Sequence, residues 1–229
     1  MKTISKTLAC LSVAGAAIAS VPAAAQVNGI ATSSPEAVIV RSQARINAYQ
    51  QIGQTYTTQL TQMNTLRQEI NTQQRSLDTD NNGQLTEAEI QANPTAVQQI
   101  QQKEQQVQQL SQPIAMAQTY VIEQLINDYN NARNQVISDK GIQIMLAPDA
   151  IQYAPDGVNV TTDLVNALNT RLPAVQTTPP AGWQPRRDSL QTHQAIQQIL
   201  LAAAQQAAAQ QQQAAQQPAA QPNQQPTGR

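Results

Sequence analysis

The sequence has no phenylalanine, and aromatic residues of all kinds make up only 3% of it. Charged side chains contribute 12%. Bulky residues to fill a large close-packed core are therefore scarce, and long helices with narrow apolar stripes suit the composition better. The one cysteine, Cys10, lies in what reads as a removable leader. A mature chain without cysteine excludes disulfides, thiol catalysis and cysteine zinc sites. The one histidine, His193, lies in a low-complexity stretch and is expected to be solvent-exposed and inert. No Ser/His/Asp set, glycine-rich phosphate loop or second metal cluster is present, so the chain is not expected to be an enzyme. Asp128 and Asp139 read as ordinary helix-surface charges. No basic patch speaks for nucleic acid.

Residues 1–25 read as a secretory signal peptide. Lys2 and Lys6 make a short basic start, residues 8–21 are an apolar run too short to span a bilayer, and Ala23-Ala24-Ala25 offers a small-residue cleavage site before Gln26. Loss of the two lysines moves the formal charge from −1 to −3. No later apolar run is long enough to cross a membrane. The mature chain is expected to be a soluble periplasmic protein of a Gram-negative type envelope.

Residues 27–31 suit a short strand. Ser34-Pro35-Glu36 then opens a helix, with serine as cap, proline at the first helical position and glutamate at the positive end of the dipole. From 41 to 77 there is no proline and only one glycine, Gly53. Tyr49, Tyr56, Met63, Ile70 and Leu77 recur every seven residues, with Ile52 and Leu66 three beyond Tyr49 and Met63. One helix of about 35 residues, about 50 Å long, is expected. After Asn93-Pro94 a second helical pattern runs to about Asp139. It carries Val97, Ile100, Val107, Leu110, Ile114, Ala117, Val121, Leu125, Tyr129, Ala132 and Val136 at three- and four-residue spacing. Pro113 interrupts it and is expected to bend it. Two helices of similar length with a turn between them predict an antiparallel, coiled-coil-like hairpin.

At Lys140-Gly141 the helix should stop. Residues 142–146 read as a strand, 151–154 as a second strand, and turns follow at Pro148-Asp149 and Pro155-Asp156-Gly157. Thr161 and Thr162 can cap a helix through Leu172 whose apolar face is Leu164, Val165, Leu168 and Leu172. Trp183 follows a Pro-Pro-Ala-Gly linker and can pack back on the body. From 188 the chain is rich in glutamine and alanine and helix-prone to about 217, and residues 218–229 have a disordered composition. The expected architecture is α+β. A helical hairpin arm spans 41–139 and a small β-rich body comes from 26–40 and 140–172. A linker at 173–187 leads to a low-complexity tail at 188–229.

"DTDNNGQLTEAE", beginning at Asp78, interrupts this pattern with a calcium-loop motif. Such a loop needs oxygen ligands at positions 1, 3, 5, 7, 9 and 12, a glycine at 6 and an apolar residue at 8, because a short loop must wrap one hard cation. Asp78, Asp80, Asn82, the Gln84 carbonyl, Thr86 through water, and Glu89 fill the ligand positions. Gly83 and Leu85 fill the other two. Asn81-Asn82-Gly83 is also a good turn, and Thr86 with Glu89 is also a capping box. Neither of those explains Asp78 and Asp80, whose carboxylates repel without a cation. A single structural calcium at the tip of the hairpin is expected; one loop without a pair does not predict switching.

"GIATSSPEAVIVRSQA" and "SDKGIQIMLAPDAIQYAPDGVNVTTDLVNALN" resemble the opening and closing segments of the Skp/OmpH family of periplasmic chaperones, over residues 27–172. The first resembles that family's strand and short helix leading into the arm. The second resembles its Lys-Gly stop, apolar strand, Tyr-containing strand and Thr-Asp terminal helix. The resemblance implies a homotrimer, with a central β-body and three arms around a cavity. That cavity would hold unfolded outer-membrane β-barrel proteins without ATP. Arms in this family are often basic; here the mature chain is slightly acidic and its arms are glutamine-rich. The calcium loop and the tail are additions to the shared pattern. The other readings are an envelope coiled-coil scaffold and a calcium-binding interaction module.

Overall fold

The computed structural model describes residues 29–216. Residues 1–28, which include the expected leader, and residues 217–229 lie outside that range. In order the elements are β1 (Ile30–Thr32), α1 (Pro35–Arg41), α2 (Gln43–Thr55), α3 (Thr57–Leu77), α4 (Glu87–Ala92), α5 (Pro94–Lys140), β2 (Ile144–Leu146), α6 (Thr161–Arg171) and α7 (Arg187–Gln216).

The helix start at Ser34 is as expected: its Oγ accepts from the Ala37 amide at 3.1 Å, with Pro35 in the first turn. The single outgoing helix is not. Ser42 leaves the helical conformation (φ −64°, ψ 136°) and its fully buried hydroxyl donates to the Ile39 carbonyl at 2.9 Å. The same oxygen accepts from the Arg45 amide, so it ends α1 and starts α2. A serine hydroxyl offers the backbone this alternative to the helical ladder. A second break falls at Tyr56 (φ −104°, ψ 24°), where the Thr57 hydroxyl donates to the Gly53 and Gln54 carbonyls.

The return helix α5 runs 47 residues through Pro113, about 70 Å at about 1.5 Å per residue. It ends at Gly141, whose φ of 62° is the left-handed conformation. The amides of Ile142 and Gly141 reach back to the carbonyls of Ile137 and Ser138, satisfying the last open acceptors. Cross-helix partners run in opposite order along α3 and α5: Lys103 reaches Glu69 at 2.9 Å, and Gln73 reaches Gln99 at 3.1 Å.

The returning chain brings β2 beside β1. They pair in parallel, Ile30 with Ile144, Ala31 with Met145 and Thr32 with Leu146. The body is less β-rich than its sequence predicts. Residues 151–154 form no strand; 3-10 turns at Pro148–Ala150 and following Pro155 flank them, and among the described residues the only further bridge is Thr32 to Asn159. The cap of α6 also differs: the Asn159 side chain, not Thr161 or Thr162, accepts from the Thr161 amide at 3.0 Å. Its apolar face is as expected, with Leu164, Val165 and Leu168 buried and Leu172 partly so.

The core lies at the root of the arm. Val38 and Ile39 of α1, Val121, Ile122 and Leu125 of α5, and Leu164 and Leu168 of α6 are all at most 2% exposed. Farther out, burial thins to Met63, Leu77, Ile100 and Ile114.

Candidate functional site

The loop between α3 and α4 brings the three expected carboxylates together. Oxygens of Asp78, Asp80 and Glu89 all lie within 4.8 Å of one another. Ligands on opposite sides of calcium, each at about 2.3–2.6 Å, are separated by about 5 Å, so the carboxylate spacing fits the ion. Gly83 takes φ 82°, the conformation for which glycine is required at that position. Asp78 accepts from the Asn82 and Gly83 amides at 3.1 and 2.9 Å. Asn82 holds the Gln84 amide with its carbonyl and donates to Asp80 at 2.8 Å.

Glu89 also serves the turn. It is 8% exposed. One oxygen accepts from the Thr79 hydroxyl at 2.6 Å and from its amide, and the other from the amide and hydroxyl of Thr86 at 3.0 and 2.9 Å. The bond from the Thr79 hydroxyl leads these donors in holding its carboxyl at about 2, well below the usual carboxylate range. Thr86 completes a capping box by accepting from the Glu89 amide. The capping-box reading of this motif is present, and the same carboxylate lies beside those of Asp78 and Asp80.

The arm surface is the second feature. Its seam is polar midway: Lys103 sits between Glu69 and Gln73, and Leu66 and Leu110 help line an open groove of about 560 Å³. At the body, Ile30, Ile144 and Leu146 are 36%, 52% and 36% exposed, and Tyr153 is 87% exposed.

Several side chains at the root behave otherwise than their sequence context suggests. His193 is half-buried, not exposed. Its Nδ1 lies 3.3 Å from the Thr119 hydroxyl, and burial pushes its pKa below the ordinary value. Asp128 is no ordinary surface charge: Arg171 grips it with two bonds of 2.9 and 3.0 Å, which holds its carboxyl below the usual range. Trp183 does pack back, donating its indole N–H to Glu123 at 3.1 Å and meeting Tyr120 edge-on at 5.0 Å. Glu123 and Gln124 carried no sequence signal, because a lone carboxylate or amide on a helix matches no motif.

Among the described residues no helix is long and apolar enough to cross a membrane. The sequence matches no curated protein significantly. Among solved structures, it is similar to an OmpH-like outer membrane chaperone from Caulobacter crescentus CB15. The two share 18% identity at a TM-score of 0.40, and the match covers 79% of this chain and 99% of that one. The family model described as outer membrane protein (OmpH-like) matches residues 29–168, which include β1, the whole arm, β2 and most of α6. The chain belongs to the OmpH-like outer membrane protein family.

Proposed function

We propose that this chain is an ATP-independent holdase of the periplasm that keeps outer-membrane β-barrel proteins unfolded between the arms of a homotrimer. One observation carries the reading: an arm of about 70 Å with little buried apolar surface beyond its root stands on a body that exposes Ile144 and Leu146 on a short strand and Tyr153 in the loop after it. Three-residue strands cannot bury a core by themselves, and assembly would cover them. A polar, loosely sealed arm presents many weak contacts that tolerate varied client sequences. Purified protein should suppress the aggregation of a urea-diluted outer-membrane β-barrel at near-stoichiometric ratio without nucleotide. Unabated light scattering at a several-fold excess of the chain would refute the reading.

Within this reading calcium fixes the tip of the arm. Asp78, Asp80, Asn82, the Gln84 carbonyl, Thr86 and Glu89 would hold it, and Glu89 would exchange its threonine donors for the ion. Titrated calcium should sharpen the amide resonances of residues 78–89 with a Kd on the order of 10⁻⁴ M, the range of extracellular modules. E89Q should weaken that response at least about tenfold, since it removes the bidentate carboxylate. No response at millimolar calcium rules the site out.

A further inference from the structure

Residues 173–186 cross the root of the arm without forming helix or strand, beyond the end of the family match at residue 168. How α5 holds them is unusual. The Gln124 side chain donates to the Gln176 carbonyl at 2.8 Å and accepts from the Gln176 amide at 2.9 Å. One side-chain amide thus satisfies both backbone groups of a residue that has no ladder of its own. Glu123 accepts from the Arg186 amide at 3.3 Å. These three bonds address backbone and are indifferent to the side chains of the segment. Selection comes from one aromatic residue: Trp183 lies against Tyr120 and gives its N–H to Glu123. Asn127 adds a bond to the Arg186 guanidinium at 2.7 Å.

We infer that Tyr120, Glu123, Gln124 and Asn127 form a docking site on α5 for a non-helical peptide bearing an aromatic residue, and that residues 173–186 occupy it in cis. The occupant in trans is a segment of an unfolded β-barrel client. Such a chain offers unpaired backbone amides together with the aromatic residues of its membrane girdles. This identification of the occupant rests on the holdase reading. The strap keeps the site covered until a client competes for it.

Trp183 is the only tryptophan, so its emission in the full chain reports the strap directly. A tryptophan-free synthetic peptide of alternating tyrosine and valine should produce a saturable red shift, and the same peptide with serine for tyrosine should produce none. W183A removes the strap's aromatic anchor and leaves Tyr120, Glu123, Gln124 and Asn127 in place, so a dye-labelled copy of the peptide should bind more tightly, by about tenfold if losing the anchor frees a site otherwise covered about nine-tenths of the time. Adding Q124A to W183A should abolish the gain. Peptide binding with unchanged Trp183 emission overturns the inference, as does a W183A variant with lower thermal stability but unaltered peptide affinity, which makes the strap a brace. A Trp183 shift that follows chain concentration without peptide assigns the site to a neighbouring copy and also overturns it. In those cases the holdase reading stands or falls on aggregation suppression alone. A shift by peptide in a chain that suppresses no aggregation supports the site and removes the holdase.

Discussion

I144K should yield a chain that is as helical as the parent by circular dichroism and single-copy by light scattering, where the proposed assembly predicts a trimer for the parent. Ile144 lies on β2, half exposed in the single chain, with Ile30 its strand partner. In the isolated chain a lysine there reaches water freely, so folding is barely affected. In the proposed assembly the same position is covered, and an unpaired buried ammonium is strongly unfavourable. Even about 3 kcal/mol per copy raises the dissociation constant more than about 100-fold at each contact. Aggregation suppression should be lost with the mass. A variant that keeps the parental mass places the assembly surface elsewhere, and a parent that is itself single-copy at micromolar concentration removes the cavity from the proposal.

L125A should be the most damaging of the conservative core changes. Leu125 is fully buried on α5, in the cluster that includes Ile39 of α1 and Leu164 of α6. Truncation there leaves a cavity and should lower unfolding free energy by about 2–5 kcal/mol, a large share of the roughly 5–15 kcal/mol that small proteins possess. L66A removes the same atoms from the half-buried seam of the arm and should lower it by about 1 kcal/mol or less. Urea denaturation of the two variants measures the contrast. Equal losses would mean that the arm and its root contribute alike, contrary to the burial pattern.

Periodicity made the arm legible. The seven-residue recurrence from Tyr49 to Leu77 and the three- and four-residue spacing to Val136 are direct consequences of helical geometry. The stop at Gly141, the turn at Asn93-Pro94 and the start at Ser34 were equally readable, since each depends on residues adjacent in sequence. So were the turn at Gly83 and the capping box of Thr86 and Glu89. The break at Ser42 was hidden because a serine within an apolar-periodic stretch also tolerates helix; its burial and its bond to Ile39 settle the matter. Residues 151–154 alternate like a strand, yet no neighbour pairs with them, and pairing is a tertiary property. The root contacts of Glu123, Gln124, Asp128 and His193 join positions more than forty apart, which no local pattern encodes.

The outgoing half of the arm is jointed at Ser42 and Tyr56, while the returning half is unbroken from Pro94 to Lys140. An unbroken helix beside a segmented one should bend most easily where the segmented one is interrupted. Both interruptions lie toward the root, so any flexing of the arm would start near its base and carry the far end along.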